Sequence, residues 1–572
     1  MVSKSLYSSC SKVLLLFRDR QVELLVLLGC FGASFFFWPF TQDDYGSFMI
    51  NMASGQFSNF SLIDWYFLGY TGFNSVYKAL HTIIPKINWL GLGTYIMSVL
   101  GFYLCLRVVV ISIRQIVSKT LIWLSTLCFG LFYLDSFISI AHTRASLIMC
   151  GGASFYLLLI PKIGIKKTLL LNLIFIIGLL HRGESAIGVL WIAGLTSLLF
   201  SFSFRHLIHR LGPPILFTSL FFLSISIYWA SSSSFLVKVE PEIEYEFMSG
   251  NVIDLSKCQT EKDSVKYLMA TYGIWIDPKV VTAEYMRTLI LNNRFSFEQL
   301  HYGLMNIKKY LVFYSGLSFL LFISIGFLIT KKRSLISGLK LLLYLILNLL
   351  PLLYSSYRTL LDERHFFPIV FILVVLAFIY SIQVYSKENL SLHYSHLTLS
   401  LILFLGALSN YYLLNNYKNR NEVEEVKVIC SENTMNQIES MYSNRIVVIT
   451  SGSFRLIDHD FSIWTKNYSA NTYIMYDLFN YSLVPRYTEY LSLLCNCDAT
   501  KPEIFFTWLS QKNALYLAEN NRLDITKSYM KALYNQELQF LPVKEFKLNS
   551  CLKNHDSYLK FATITQVKTK NE

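Results

Sequence analysis

The sequence predicts a mainly α, polytopic membrane protein of about eleven transmembrane helices followed by a small extracytoplasmic α/β domain. Of its 572 residues, 53% are hydrophobic and only 15% are charged, whereas about 25% of the residues of a typical soluble domain are charged. The mean hydropathy is +0.43. The apolar character ends near residue 414, so the chain divides into a membrane domain, 1–414, and a soluble domain, 415–572.

The predicted spans are apolar runs long enough to cross a hydrocarbon core of about 30 Å. They lie near residues 22–40, 90–110, 121–141, 145–160, 169–180, 186–202, 211–229, 310–329, 335–353, 366–385 and 397–414. The first run follows a basic start, but no small-residue cleavage site ends it, which predicts a retained helix rather than a signal peptide.

The topology is predicted from lysine and arginine residues, which are concentrated in alternate loops. These residues include Lys12, Arg18, Arg20, Arg107, Arg114, Lys119, Lys162, Lys166, Lys167, Arg205, Arg210, Lys331, Lys332 and Arg333. The positive-inside rule then places the amino terminus in the cytoplasm. It places the loops at about 41–89 and 230–309 and the tail outside. The net charge of +13 is explained by these loops, and we assign no nucleic-acid partner.

The tail from residue 415 mixes polar and apolar residues in a helix and strand alternation. A helix-like "NTMNQIESMYSN" leads into "RIVVITS", a β-branched run typical of a buried strand. Cys258, Cys430, Cys495, Cys497 and Cys551 fall in the predicted outside parts. Their odd number and the unfavourable "CNC" spacing leave disulfide pairing unassigned. No second ligand pair for zinc is evident near Cys495 and Cys497, so no metal site is assigned there.

Four polar clusters share the predicted outer side of the membrane. They are Asp43 and Asp44 after the first span; His142 and Arg144; His181, Arg182 and Glu184; and Arg358, Asp362, Glu363, Arg364 and His365. Any one cluster is explained as a polar turn, because interfacial arginine often reaches toward water. The mixture of acid, imidazole and guanidinium groups in short outer turns, where arginine is disfavoured, instead favours a shared polar cavity.

Such a cavity suits a reaction in which a glycosyl group passes from an anionic lipid-linked donor to a hydroxyl acceptor. Arg144, Arg182, Arg358 and Arg364 are the candidate phosphate-binding residues, because guanidinium groups bind phosphate in a bidentate manner. Asp44 is the candidate base. The candidate role of Asp43 is to orient one of three partners: Asp44 itself, an acceptor, or a divalent cation (Mg²⁺ or Mn²⁺). His142, His181, Glu184, Glu363 and His365 are supporting candidates. No other cofactor is assigned.

The acidic pair after helix one, the segment "ERHFFP" at residues 363–368 and the external tail resemble the GT-C superfamily of integral-membrane glycosyltransferases. This resemblance implies a polyprenyl-phosphate or polyprenyl-diphosphate sugar donor and a glycan, lipid or protein acceptor. It also implies an enzyme of cell-envelope or polysaccharide biosynthesis in a bacterial inner membrane.

Residues 143–188 are similar, in addition, to the helix pair of EpsG-type and Wzy-type polysaccharide polymerases. In that pattern an arginine opens one helix and a histidine closes the next, and Arg144 and His181 are the matching positions. A lipid-linked-sugar transporter or flippase is the less favoured class, because the sequence shows neither internal repeats nor broken helices at the membrane midplane.

Overall fold

The structure of the protein is a computed structural model, in which part of the chain is described. The described residues are 20–36, 40–41, 76, 79–80, 83–84, 87, 89–231, 260–271, 280, 285, 297–313, 318, 335–357, 363–387, 436–449, 472–475, 487–499, 501–546 and 562–569. Within these residues the structure is mainly helical, and a small α/β region forms its carboxy-terminal part.

Within the described residues, eleven helices precede residue 388. They are α1 (Gln21–Phe36), α2 (Trp89–Ile113), α3 (Lys119–Ile138), α4 (His142–Leu159), α5 (Ile165–His181), α6 (Gly183–Leu199), α7 (Phe204–Ser231), α8 (Glu261–Thr271), α9 (Phe297–Phe313), α10 (Leu335–Tyr357) and α11 (Glu363–Lys387). Two short strands, β1 (Phe40–Thr41) and β2 (Ser139–Ile140), pair in parallel. The predicted spans one to seven, nine and ten coincide with α1–α7, α10 and α11. The spans predicted at 310–329 and 397–414 lie mostly outside the described residues.

Five described helices are long and apolar enough to cross a membrane. These stretches are Gly91–Ile113, Lys119–Phe137, Phe204–Ser224, Leu335–Tyr354 and His365–Val384. Large apolar side chains on α7 are exposed, among them Phe204 at 76% and Ile227 at 61%. An apolar surface of this extent is unfavourable in water and suits contact with lipid. The helices therefore indicate a multi-pass membrane protein.

Helix α4 lies at the centre of the bundle, where α2, α5, α6, α7 and α11 pack around it. All but one of its residues are buried. A Cβ atom on Gly152 would lie 2.7 Å from the carbonyl oxygen of Gly101 in α2, and a Cβ on Gly101 would lie 2.6 Å from the backbone nitrogen of Met149. Only residues without a Cβ permit this approach, and small residues serve the same purpose in other membrane helix pairs.

The carboxy-terminal region contains a mixed five-stranded sheet. Its order is β4 (Thr472–Met475), β3 (Ile446–Ile449), β5 (Leu515–Glu519), β7 (Ala562–Thr569) and β6 (Leu538–Phe546). The pairs β4–β3 and β3–β5 are parallel, and β7 is antiparallel to both β5 and β6. The helices of this region are α12 (436–441), α13 (Tyr487–Cys495), α14 (Pro502–Gln511) and α15 (Asn520–Tyr534). The predicted strand "RIVVITS" is β3.

Helix α8 belongs to the predicted 230–309 loop and packs against α15 of this region. Its residues Val265 and Met269 are 4% and 0% exposed. The amphipathic helix thus buries its apolar face on the α/β region, which joins the two predicted outer segments.

Cys495 and Cys497 form a disulfide with Cα atoms 5.1 Å apart. The expectation that the "CNC" spacing disfavours an internal bridge is therefore wrong. The reason is Asn496, whose φ of +50° lies in the left-handed region that asparagine tolerates better than most residues. This residue ends α13, and the tight turn brings the two thiols together. Cys258, Cys430 and Cys551 lie outside the described residues.

Candidate functional site

A cluster of buried polar side chains lies where α3 ends, α4 begins and α5 passes into α6. After β2, the first turn of α4 contains His142, Thr143 and Arg144, which are 2%, 1% and 1% exposed. Ala141 at the amino-terminal cap provides no side-chain hydrogen bond. Charged residues are this completely buried in an apolar helix bundle only when other groups compensate them.

Arg144 forms a buried ion pair with Asp135, which lies near the end of α3. The distance from Arg144 Nη1 to Asp135 Oδ2 is 2.8 Å, and the two side chains are 1% and 2% exposed. The Arg144 guanidinium carbon also lies 5.3 Å from the centroid of the Phe367 ring in α11, within the range of a cation–π contact. Three helices therefore fix the position of this guanidinium.

Two histidines and a second arginine form another set of contacts, which also involves the first turn of α4 through His142. Arg182 Nη1 contacts His142 Nε2. Arginine can only donate, so His142 must accept through Nε2 as the neutral ring with its proton on Nδ1. The His142 and His181 ring centroids are 6.3 Å apart, and His181 Nε2 lies 3.2 Å from Thr94 Oγ1 of α2. This network joins α2, α4 and the α5–α6 turn.

Ser146 holds the α5–α6 turn against α4. Its hydroxyl donates to the carbonyl oxygens of Gly178 at 2.6 Å and Arg182 at 3.2 Å. A Cβ atom on Gly178 would lie 2.6 Å from Cys150 Sγ, so the glycine permits close contact between α4 and α5. The backbone of Arg182 is therefore positioned by α4 as well as by the end of α5, where its N–H donates to the Gly178 carbonyl oxygen.

The β1–β2 pairing attaches the chain that follows α1 to the same end of the bundle. Phe40 pairs with Ser139, and Thr41 pairs with Ile140, in parallel register. Ile140 lies two residues before His142, and Thr41 lies two residues before Asp43 in the sequence. The pairing connects the segment leading to the acidic pair with the turn that leads to the buried cluster.

Of the predicted site residues, the structure brings His142, His181 and Arg182 together, and it places Arg144 in the same helical turn as His142. His365 is half-buried in the first turn of α11, two residues before Phe367, whose ring lies against Arg144. The backbones of Glu184, Glu363 and Arg364 lie in the first turns of α6 and α11, and their side chains are outside the described part. Asp43, Asp44 and Arg358 lie outside the described residues altogether.

Asp135 and Thr94 were missed by the sequence analysis. An aspartate in the apolar run "FYLDSFISI", nine positions before Arg144, is the signal that could have identified Asp135, because an isolated intramembrane carboxylate requires a partner. Thr94 gives no comparable signal, since threonine is common in apolar helices.

A second buried ion pair lies between α1 and α2. Arg107 Nη1 contacts Glu23 Oε1 at 2.5 Å, and Glu23 is 1% exposed. Arg20 donates from Nη1 to the Tyr103 hydroxyl at 3.0 Å. Arg107 and Arg20, used above as topology signals, therefore also join the first two helices.

Among the described residues, no group of three or more histidine, cysteine, aspartate or glutamate side chains could hold a metal ion. The cation at Asp43 and Asp44 stays a prediction, since both positions lie outside that part of the chain. No protein-family model, curated protein or solved structure matches the chain. Its function is therefore inferred from the site itself.

Proposed function

We propose that this chain is an integral-membrane glycosyltransferase that moves a sugar from a polyprenyl-phosphate or polyprenyl-diphosphate donor to a glycan, lipid or protein acceptor. The main support is a group of polar residues at one end of an apolar helix bundle, namely the buried Asp135, His142, Arg144 and His181 and the half-buried Arg182. Ionisable groups in such a bundle are costly and mark functional sites. Two guanidinium groups near a lipid phase suit a ligand with a phosphate head and an apolar tail.

The two arginines have different roles in this proposal. Arg144 is 1% exposed and paired with Asp135, so it contributes a fixed positive charge behind the site. Arg182 is half-buried and held by His142, so it is the arginine that a donor phosphate reaches first. Arg358 and Arg364 would add further phosphate contacts. His181, Glu184, Glu363 and His365 would support these groups by hydrogen bonding.

The proposed base is Asp44, with Asp43 orienting it or the acceptor. Support comes from the β1–β2 pairing, because Asp44, three residues after Thr41, lies at most about 11 Å from it along the chain. In the reaction, the acceptor hydroxyl oxygen attacks the anomeric carbon and its proton passes to the carboxylate. The bond from that carbon to the phosphate oxygen breaks, the phosphate keeps the electron pair, and arginine stabilises its charge.

The proposed topology places the amino terminus in the cytoplasm and the α/β region outside. Cysteine labelling in intact cells tests it in a background where Cys258, Cys430 and Cys551 are serine. Lys512 and Arg205 are exposed, on the α/β region and at the start of α7. We expect Lys512→Cys to react with a membrane-impermeant maleimide in intact cells and Arg205→Cys to react only after permeabilisation. The reverse labelling pattern would invert the proposed membrane topology and would place the proposed transfer site on the cytoplasmic face.

The proposed function is tested with the full-length protein in lipid nanodiscs and a panel of radiolabelled polyprenyl-phosphate and polyprenyl-diphosphate sugars. We expect label to move from the lipid to an acceptor, with release of the polyprenyl carrier. If every donor remains intact while vesicles containing the protein move labelled lipid between leaflets, the flippase alternative replaces the transferase.

Arg182→Lys is expected to weaken donor binding. A charged hydrogen bond contributes about 1.5–3 kcal/mol, so the donor KM should rise by roughly tenfold or more, with a smaller change in kcat. Lysine keeps the charge but cannot bind phosphate as a planar fork. The control is Arg205→Lys at the exposed start of α7, which should leave KM unchanged. Equal donor KM values for the two variants would remove Arg182 from the phosphate site.

A second candidate function is polymerisation of lipid-linked repeat units, as in EpsG-type and Wzy-type enzymes. One observation favours it: the first turn of α4, which contains Arg144, lies against the end of α5, which contains His181. Product length separates the two functions. A transferase that adds one sugar gives a single product band, whereas a polymerase gives a ladder that grows with time.

A further inference from the structure

An open cavity of about 890 Å³ lies in the carboxy-terminal α/β region, apart from the residues of the proposed transfer site. One wall is a face of α14, and the others are the turns that follow α13 and α15. The residues used below are Asn496, Glu503, Thr507, Trp508, Asn535 and Gln536. Its size falls within the range of about 300–1,000 Å³ typical of small-molecule sites. We name it the α14 groove.

The wall of the α14 groove is rich in hydrogen-bonding groups. Gln536 Nε2 donates to Thr507 Oγ1 at 3.1 Å and to the Glu503 carbonyl oxygen at 3.5 Å. Glu503 Oε2 and Gln536 Oε1 are buried acceptors that have no hydrogen-bond partner among the described residues. Buried acceptors without donors are costly. A ligand hydroxyl, or a water that it traps, would supply the donors.

Trp508 provides an apolar surface beside these polar groups. Its ring stacks on Phe505 with centroids 5.6 Å apart and an interplanar angle of 28°, which fixes the orientation of the indole. At the rim, Asn496 and Asn535 have φ values of +50° and +52° and are exposed. A fixed aromatic face beside amide groups suits a saccharide ring, which has C–H faces and hydroxyl edges.

The charge of the α14 groove separates it from a phosphate site. Its lining contains the carboxylates Glu503 and Glu537, and within the described part no lysine or arginine lines it. Glu537 Oε1 lies 3.9 Å from Lys531 Nζ, which offsets its charge, so Glu503 is the main negative group of the lining. The Glu503 carboxylate repels phosphate and uronic acid groups but accepts hydrogen bonds from hydroxyl and ammonium groups. The groove therefore suits a neutral or positively charged ligand, in contrast to the anionic donor of the proposed transfer site.

We propose that the α14 groove binds a neutral or amino-sugar saccharide. Trp508 would stack on one ring, and Glu503, Gln536 and the rim asparagines would bind its hydroxyl groups. If the chain transfers sugars, this saccharide is the glycan acceptor or product, and that identification rests on the proposed function. Saccharide binding itself does not depend on it.

The experiment measures binding to the full-length protein in nanodiscs, without donor, by saturation-transfer NMR and calorimetry. The probes are N-acetylglucosamine dimers and maltotriose as neutral saccharides, glucosamine dimers as cationic ones, and hyaluronan tetramers and inorganic phosphate as anions. We expect the neutral or cationic saccharides to bind. Failure of all of them to bind, or selective binding of the anions, overturns the proposal.

Variants locate the binding. Trp508→Leu and Gln536→Ala are each expected to weaken saccharide binding at least tenfold, and the second keeps the test decisive if the first does not fold. Lys512→Ala, at an exposed neighbouring position outside the lining, is the control. If both variants bind saccharide with the affinity of the wild-type protein, the saccharide does not bind in the α14 groove.

Turnover distinguishes a failure of this proposal from a failure of the transferase proposal. Asp44→Asn should keep saccharide affinity even where it abolishes transfer. If wild-type protein binds saccharide but transfers no sugar, the transferase proposal is wrong and the proposal of a saccharide site in the α14 groove is retained. If it transfers sugar but binds none of the neutral or cationic saccharides, the groove proposal fails and the transferase stands.

Discussion

Replacing Asp135 with alanine is expected to destabilise the protein by about 3–5 kcal/mol, the effect typical of removing one partner of a buried ion pair. The Arg144 guanidinium is 1% exposed and lies 2.8 Å from the Asp135 carboxylate. The variant removes that negative charge and leaves the guanidinium in an apolar bundle. Thermal unfolding of the detergent-solubilised protein, followed by tryptophan fluorescence, measures the loss.

Two controls separate the buried charge from a general effect of substitution. The double variant Asp135→Leu/Arg144→Leu removes both charges and should recover most of the lost stability, because apolar residues of similar size often replace a buried pair without cost. Asp524→Ala removes an exposed carboxylate that pairs with Lys527 at 3.2 Å and should cost less than about 1 kcal/mol. Similar losses for Asp135→Ala and Asp524→Ala would show that the buried pair contributes no more than a surface one.

The helices of the bundle could be predicted because a bilayer imposes a simple length and polarity rule on the sequence. Helix α4 shows where the rule weakens. The prediction began at residue 145, whereas the helix begins at His142. Its polar first turn is buried against other helices rather than lipid. A hydropathy pattern cannot distinguish such a turn from a loop, since it contains no information about Asp135 or Arg182 as partners.

The topology predicts that the turns with His142, His181 and Arg182 lie at one end of the bundle, and these three residues are in contact. Short turns on one side of a bundle must lie at the same end, and residues on adjacent turns have a good chance of contact. The role of Asp135 could not be predicted in this way, because it lies inside α3 rather than in a turn. The bridge between Cys495 and Cys497 was missed for a different reason. It depends on the left-handed backbone of Asn496, a local choice that residue spacing does not reveal.

The buried pair also bears on how the proposed site works. Asp135 offsets part of the Arg144 charge, and the half-buried Arg182 is the arginine of the two that a phosphate can reach more easily. His142 accepts from Arg182 as a neutral ring and leaves the charge of Arg182 intact. The cluster can therefore remain folded without donor and still attract one. Asp135 and His142 act as positioning residues in this scheme, and the chemistry depends on a separate carboxylate.

Asp44→Asn is expected to lower kcat by about 10²–10⁴-fold, the contribution that general-base catalysis typically makes. The expectation follows from the position of Asp44, three residues after Thr41, which pairs with Ile140 beside the turn that leads to His142 and Arg144. A carboxylate near guanidinium groups stays ionised at neutral pH and can accept a proton. Asparagine keeps the shape but cannot accept that proton, so the donor KM should change little.

Asp43→Asn provides the matched comparison, because the two aspartates are adjacent and cannot easily direct both carboxylates at one atom. We expect a smaller loss for Asp43→Asn, consistent with an orienting role, and an unchanged rate for Asp498→Asn in the α/β region. Membrane insertion and thermal stability are measured alongside kcat, so that misfolding is not mistaken for lost chemistry. If both single variants insert, fold and turn over at the wild-type rate, neither aspartate is the base. The polymerase alternative centred on Arg144 and His181, or the flippase, would then replace the transferase mechanism.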